Sequence, residues 1–162
     1  MTDLRVGTGF DAHALVEGVP LVLAGVAIDH PRGLAGYSDG DVLAHALTDA
    51  VLGAAGLGDI GTLFPPGDPQ WEGASSVDLL ARAFAEVRER GWEVVNADVV
   101  LIGEEPRIAR LRGEMEERLS AVVGGPVSVR ATTTDGLGFT GRGEGLAAQA
   151  VALLRQRGDA GA

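Results

Sequence analysis

The order of elements along the chain predicts helices layered on a mixed β-sheet. Three observations carry this. Alternating or valine-rich segments that read as strands lie near the start, in the middle and late in the chain. Stretches with apolar residues at helical spacing lie between them. Glycines stand where those helical stretches should stop. At 162 residues the chain is long enough for one domain, residues 1–162, with a substantial core. No repeat, linker or low-complexity tract divides it.

Leu4 to Phe10 reads as a first strand carrying Gly7 and Gly9. Pro20 to Ile28 reads as one or two short strands broken near Gly25, and Gly33 to Gly40 as a glycine-rich loop. Asp41 to Ala55 is apolar with helical spacing, with Ser38 or Asp39 expected to cap it and Gly56-Leu57-Gly58 to stop it. Asp59 to Gly73 reads as an ordered loop opening with a helical turn. Ser75 to Arg90 is an amphipathic helix, because Val77, Leu80, Phe84 and Val87 share a face. Trp92 to Ile102 alternates and reads as a strand. Pro106 is expected to start a helix reaching about Val123, and Val127 to Thr133 a further strand. Thr134 to Gly145 is a second glycine-rich stretch. Gly145 to Arg155 is an alanine-rich apolar run without a clear period, so helix and strand both stay open.

Composition excludes several chemistries. The net charge is −10, which argues against a nucleic-acid surface. No apolar run has the length of a membrane span. The chain has no cysteine, hence no disulfide, thiolate ligand or cysteine nucleophile, and it is expected to be cytoplasmic. All 13 basic residues are arginine, so lysine chemistry is excluded too. An acidic protein acting on a phosphate needs bound cations to reverse the field locally.

The candidate site follows from three side chains. Asp11 and His13 stand two apart, and in an extended segment such residues point to one side. His45 follows in Ser38-Asp39-Gly40-Asp41-Val42-Leu43-Ala44-His45. One carboxylate and two imidazoles suit zinc or another divalent transition metal, with the fourth position open to substrate. Asp41, His45 and Asp49 are four apart on one helical face, so Asp41 or Asp49 is expected to accept the second ring N–H of His45.

Several blocks together resemble one family, the 2-C-methyl-D-erythritol 2,4-cyclodiphosphate synthases of the non-mevalonate isoprenoid pathway. They are Gly7-Thr8-Gly9-Phe10-Asp11-Ala12-His13, Ser38-Asp39-Gly40-Asp41, His45-Ala46-Leu47-Thr48-Asp49-Ala50, Gly58-Asp59-Ile60-Gly61 with Leu63-Phe64-Pro65, Ala131-Thr132-Thr133-Thr134, and Gly138-Phe139-Thr140-Gly141-Arg142-Gly143-Glu144-Gly145. They come in the family's order and span about residues 4–154. The resemblance implies that 4-diphosphocytidyl-2-C-methyl-D-erythritol 2-phosphate is cyclised with loss of CMP. It also implies an α+β fold with a mixed sheet packed against helices. It implies a homotrimer whose sheets face the central axis and whose active sites lie between subunits. Gly145 to Leu154 is then a strand.

The resemblance also implies roles. Asp11, His13 and His45 match zinc ligands, Asp41 an acid behind them, and Ser38 a residue near the substrate phosphates. Asp59 and Gly61 match the sugar-alcohol pocket, and Ile60, Phe64 and Leu79 its apolar wall. Gly103, Pro106, Arg107, Ile108, Ala131, Thr132 and Thr133 match the cytidine pocket. Asp135 matches an acid for magnesium or manganese bridging the diphosphate. Phe139 and Arg142 match a central cavity where relatives hold an isoprenoid diphosphate. The chain departs from the family at Tyr37, usually His, and at Asp135, usually Glu. It also departs at Pro66-Gly67-Asp68, usually Asp-Thr-Asp, and at Arg107 and Gly136, usually Lys. Two other readings share the same three ligands or the same trimer. One is a zinc phosphodiesterase or phosphatase using metal-bound water; the other is a non-catalytic trimer that binds isoprenoid diphosphates.

Overall fold

Alternation along the first strand decides how the rest of the chain packs. The structure, a computed structural model, describes residues 3–158. Strand β1 runs Leu4–Glu17, well past the expected end at Phe10. Its second half is stabilised by pairing rather than by composition. Ala14 pairs with Gly145, and Leu15 with Leu34. Next come β2 (Leu21–Leu23) and β3 (Val26–Ile28), a hairpin apart from the main sheet, and β4 (Arg32–Leu34), which takes up the first two residues of the expected loop. Helix α1 spans Val42–Ala55, α2 Ile60–Leu63 and α3 Ser76–Glu89, with a 3-10 turn at Pro69–Trp71. Then follow β5 (Trp92–Ile102), α4 (Arg112–Val123), β6 (Val127–Thr132), α5 (Gly138–Gly141) and β7 (Gly145–Gln156).

The fold is α+β. Five strands form a mixed sheet in the order β4-β1-β7-β5-β6. Only β5 and β6 are parallel, and α4 makes the crossover between them. The apolar core lies between one sheet face and the helices. Leu43, Leu47 and Leu52 of α1, Leu80 and Phe84 of α3, and Met115 and Leu119 of α4 meet Val99, Leu101 and Leu154 there. Twelve of the fourteen α1 residues are buried, as expected for a helix apolar on all sides. The alanine-rich run resolves as a strand. It pairs with β1 on one side and β5 on the other, so its small side chains sit at the centre of the sheet.

Two helix boundaries differ from expectation. Asp41, not Ser38 or Asp39, caps α1 by accepting the Ala44 N–H at 3.2 Å. Helix α4 begins at Arg112 rather than Pro106, after a turn in which the Leu111 N–H donates to the Ile108 carbonyl at 2.9 Å. Ile108 is buried in the core, which anchors that turn. Among the described residues no helix is long and apolar enough to cross a membrane.

Candidate metal centre

Two glycines let a helix lie directly on the first strand. A Cβ on Gly9 would stand 1.9 Å from the Ala46 carbonyl oxygen, and one on Gly7 2.0 Å from that of Ala50. With hydrogen in those places, α1 approaches β1 closely enough for side chains of both to share a small volume. Asp11 and His13 project from β1 on the same side as Gly7 and Gly9, as the alternation predicts. His45 projects from the first turn of α1 to meet them.

Three donor atoms converge. Asp11 Oδ2 is 2.9 Å from His13 Nε2 and 2.9 Å from His45 Nδ1, and the two nitrogens are 3.3 Å apart. A tetrahedral ion with bonds of about 2.0–2.1 Å has ligand atoms about 3.3 Å apart on each face. The triangle fits one face of such an ion, and a fourth direction opens on the cleft. Among the described residues this is the one group of three such side chains with donor atoms within 4.8 Å of one another. Burial opposes charge on Asp11, but hydrogen bonds and charges of His13 and His45 outweigh it and hold the carboxyl below the usual range. The same contact with Asp11 raises His13 against the effect of its burial, and a backbone hydrogen bond to Ala35 adds to this.

The expected bond from His45 to Asp41 or Asp49 is not made. Asp41 is fully buried, and its two oxygens accept the N–H groups of Ala24 at 2.9 Å and Gly25 at 2.8 Å besides that of Ala44. It ties the start of α1 to the turn between β2 and β3. Burial pushes its carboxyl up to about 6, against the pull of those three donors. Asp49 accepts the Ile60 N–H at 2.8 Å, and burial raises it as well. Residues four apart do share a face, but the neighbours packed on that face differ at each turn. His45 Nε2 instead faces the hydroxyls of Ser76 at 2.8 Å and Ser38 at 3.0 Å.

The triad forms the floor of a cleft of about 310 Å³. Tyr37, Ser38 and Gly61 border it, and Ile60, Phe64, Pro66, Trp71 and Leu79 make an apolar wall. Asp59 stands at the head of α2, next to Ile60 of the wall but outside the cleft lining itself. Its Oδ1 accepts from the Thr62 hydroxyl and N–H, both at 2.8 Å, and these bonds lower its pKa.

The remaining expected residues lie elsewhere on the chain. The cleft lining contains nothing from Gly103–Ile108 or Ala131–Asp135. The Gly103 N–H donates to the Thr132 carbonyl at 3.0 Å, which brackets those two segments. Ala131, Thr132 and Thr133 are exposed, Pro106 is half-buried and Arg107 is exposed. Asp135 adopts a left-handed conformation with φ of 50°, and its Oδ1 accepts the Thr133 hydroxyl at 3.2 Å. Arg107 and Arg142 border a second cavity of about 380 Å³ with Arg32, Glu104 and Glu105. Arg142 pairs with Glu144 at 3.1 Å. Phe139 lies beside a third cavity with Ala12, His13 and Ala14.

Sequence reasoning missed three residues of the cleft and its support. Trp71 meets Phe64 edge to face at 5.0 Å, and the Arg82 guanidinium lies 5.5 Å from its ring. Its indole N–H is buried without a partner among the described residues. An aromatic in a proline-rich loop was the available signal. Ser76 and Asp39 support His45, and there the signal was a pair of adjacent serines where a helix needs one cap. Ser75 is the N-cap of α3, which leaves the Ser76 hydroxyl free for other work.

Comparison with known proteins points one way. The model of the YgbB family matches residues 4–155. The 2-C-methyl-D-erythritol 2,4-cyclodiphosphate synthase of Moorella thermoacetica is 54% identical over 162 residues, covering 98% of this chain and 99% of its own. A solved 2C-methyl-D-erythritol-2,4-cyclodiphosphate synthase in its CDP-bound form matches with a TM-score of 0.84 at 40% identity, covering 93% of this chain and 99% of that one. The bifunctional IspDF of Campylobacter jejuni matches with a TM-score of 0.90 at 44% identity, over 94% of this chain and 42% of that one.

Proposed function

The chain belongs to the YgbB family, and on that premise we propose that it is a lyase acting on 4-diphosphocytidyl-2-C-methyl-D-erythritol 2-phosphate, releasing 2-C-methyl-D-erythritol 2,4-cyclodiphosphate and CMP. The observation that carries this is the Asp11/His13/His45 triad on the floor of a cleft with an apolar wall. It occurs in a chain 54% identical to a named synthase over nearly its full length. In the reaction an oxygen of the 2-phosphate attacks the β-phosphorus, and the bond from that phosphorus to the CMP oxygen breaks. No protein nucleophile is needed, which suits a chain without cysteine or lysine. A divalent ion, zinc in this reading, held by Asp11, His13 and His45 supplies Lewis-acid neutralisation of phosphate charge.

The residues of this chain divide the remaining work. Ser38 borders the cleft and donates a hydrogen bond from its hydroxyl to a phosphate oxygen. Tyr37 offers a phenolic donor without positive charge. Asp59 leaves Oδ2 for a hydroxyl of the erythritol, while Ile60, Phe64 and Leu79 pack its carbon skeleton and exclude water. Gly103, Pro106, Arg107, Ala131, Thr132 and Thr133 hold cytidine, with the Ile108 backbone beside them.

Those cytidine residues come from a neighbouring subunit of a homotrimer, since the cleft of one chain does not include them. Further support is the outer face of β1 and β7. There Leu4, Val6 and Phe10 are 51%, 65% and 60% exposed beside Val151, an apolar surface of the kind that marks an interface. Phe139 and Arg142 then face a central cavity able to take an isoprenoid diphosphate. The enzyme works in the cytoplasm.

Incubation with substrate and Mg²⁺, followed by ³¹P NMR, tests the reaction. Cyclic diphosphate and CMP are expected. Release of inorganic phosphate alone would favour a metal-dependent phosphatase and overturn the proposal.

Asp135 would hold a second ion, magnesium or manganese, which would supply further neutralisation of phosphate charge. Asp135→Asn should raise the Mg²⁺ concentration needed for half-maximal turnover by about tenfold, because one hard oxygen donor loses its charge. Zinc content should not change. An Mg²⁺ requirement identical to wild type would remove Asp135 from this role.

A further inference from the structure

The ring of His45 is held at both nitrogens. Nδ1 faces Asp11 Oδ2 and His13 Nε2, the side on which a cation fits. Nε2 points the other way, to Ser76 Oγ at 2.8 Å and Ser38 Oγ at 3.0 Å, and the two hydroxyls lie 3.2 Å apart. Ser76 is fully buried. Its hydroxyl bonds to Asp39 Oδ1, and its N–H donates to Asp39 Oδ2 at 3.1 Å. Asp39 is fixed in turn, since its N–H donates to the Ala74 carbonyl at 3.0 Å and its Oδ1 accepts the Asp41 N–H at 3.2 Å.

Helix capping does not account for this cluster. The Ser75 hydroxyl accepts the Asp78 N–H at 3.3 Å and serves as the cap of α3. Ser76 therefore joins Asp39, in the loop before α1, to the ring of His45.

Counting protons gives the cluster a direction. An imidazole that offers Nδ1 to a cation must carry its proton on Nε2. That N–H donates to Ser76 Oγ, the nearer hydroxyl. Ser76 then gives its own proton to Asp39, a carboxylate that only accepts. The chain is complete without the Ser38 proton. Without a cation, a neutral His45 donates from Nδ1 to Asp11, and Nε2 accepts from a serine. A cation at Nδ1 would therefore require the other tautomer.

We infer that Ser76 and Asp39 are positioning residues that hold His45 in the tautomer and orientation a divalent cation requires. The Ser38 hydroxyl is thereby left free to donate to an anionic oxygen in the cleft. The first statement stands on the geometry alone, and the second rests on the phosphoryl-transfer reading above.

Titration of metal-stripped protein with Co²⁺ tests the pair, read as affinity and as the visible absorption band of the bound ion. Ser76→Ala should weaken Co²⁺ binding by about 10–100-fold, the usual loss when a ligand's outer partner is removed, and should shift the band. Ser76→Thr, which restores a hydroxyl, should recover most of the affinity. Asp39→Asn should weaken binding in the same direction as Ser76→Ala. Ser38→Ala should keep the Co²⁺ affinity and band of wild type while raising KM for the diphosphate substrate. A folded Ser76→Ala protein with wild-type affinity and band would overturn the pair. If that variant does not fold, an unchanged affinity in Asp39→Asn would overturn it. Equal loss of Co²⁺ in Ser38→Ala and Ser76→Ala would overturn the division between the two serines. The expected Co²⁺ pattern in a protein that forms no cyclic diphosphate would count against the proposed function and for the pair.

Discussion

His45→Ala should strip the protein of its divalent metal and reduce kcat/KM by about 10²–10³-fold, the scale on which an electrostatic contribution to a transition state is lost. Asp11, His13 and His45 contribute one donor atom each, all within 2.9–3.3 Å of one another. Removing one leaves two donors, too few to hold a tetrahedral ion with one open position. The fold should survive. His45 is 9% exposed, and truncating it costs an imidazole's packing at the edge of α1 rather than at the centre of the core. Elemental analysis after dialysis and the ³¹P NMR assay check both halves. Stoichiometric divalent metal retained by the variant would rule out His45 as a ligand. The wild-type protein should also lose metal as the pH falls, because ligation needs a neutral His13. Asp11 raises His13 above the ordinary 6.5. Protons therefore compete at a higher pH than for a free imidazole, and affinity should already decline above 6.5. In the metal-free protein the sign for stability is opposite. The contribution of His13 is complete below 6.5 and is lost as pH rises through its raised folded value.

Gly9→Ala should lower stability and metal affinity together. The new Cβ would lie 1.9 Å from the Ala46 carbonyl oxygen and 3.0 Å from the Ala50 nitrogen, both backbone atoms of α1 that no rotamer change can move. The helix must shift by about 1–2 Å to restore a normal contact distance of about 3.5 Å. Overpacking of this kind costs about 1–3 kcal/mol, which lowers Tm by about 2–12 °C in a chain of this size. The shift carries His45 away from Asp11 and His13, so Co²⁺ affinity should fall by more than about tenfold, as expected when ligand geometry is disturbed. Gly53→Ala on the same helix is the control. Its Cβ would meet only the Thr8 carbonyl oxygen at 3.9 Å. Replacing this glycine in the last turn of α1 with alanine should stabilise by up to about 0.5–1 kcal/mol. A Gly9→Ala protein with wild-type Tm and Co²⁺ affinity would show that close contact between β1 and α1 does not build the site.

Elements whose neighbours impose one period were legible in the residues. Helix α3 alternates between core and solvent every three to four residues, and β5 every two, so both were read to within a residue or two. The run of β1 beyond His13 was missed because Ala14-Leu15-Val16-Glu17 carries no alternation. Its extension is decided by β7 and β4 across the sheet. The start of α4 was misread from Pro106, a good first helical residue. The chain instead uses the buried Ile108 to anchor a turn and begins the helix at Arg112. Strand β7 carried no period because alanines fit a helix and a central strand alike.

The sequence by itself determined the chemistry available to this protein. It has one aspartate and two histidines at convergent spacing, no cysteine or lysine, and an acidic balance that needs cations to approach a phosphate. Alternation put Asp11 and His13 on one side of a strand, since residues two apart in an extended chain always share a side. Only the tertiary structure decided what surrounds them. Spacing by four nominated Asp41 and Asp49 as partners of His45. Asp41 instead holds three backbone N–H groups, and His45 Nε2 faces the hydroxyl of Ser76, 31 residues away in sequence, with that of Ser38 beside it. Sequence spacing specifies direction within one element. Distances between elements are set by how closely their backbones pack, and here by two glycines whose missing side chains let a helix rest on a strand.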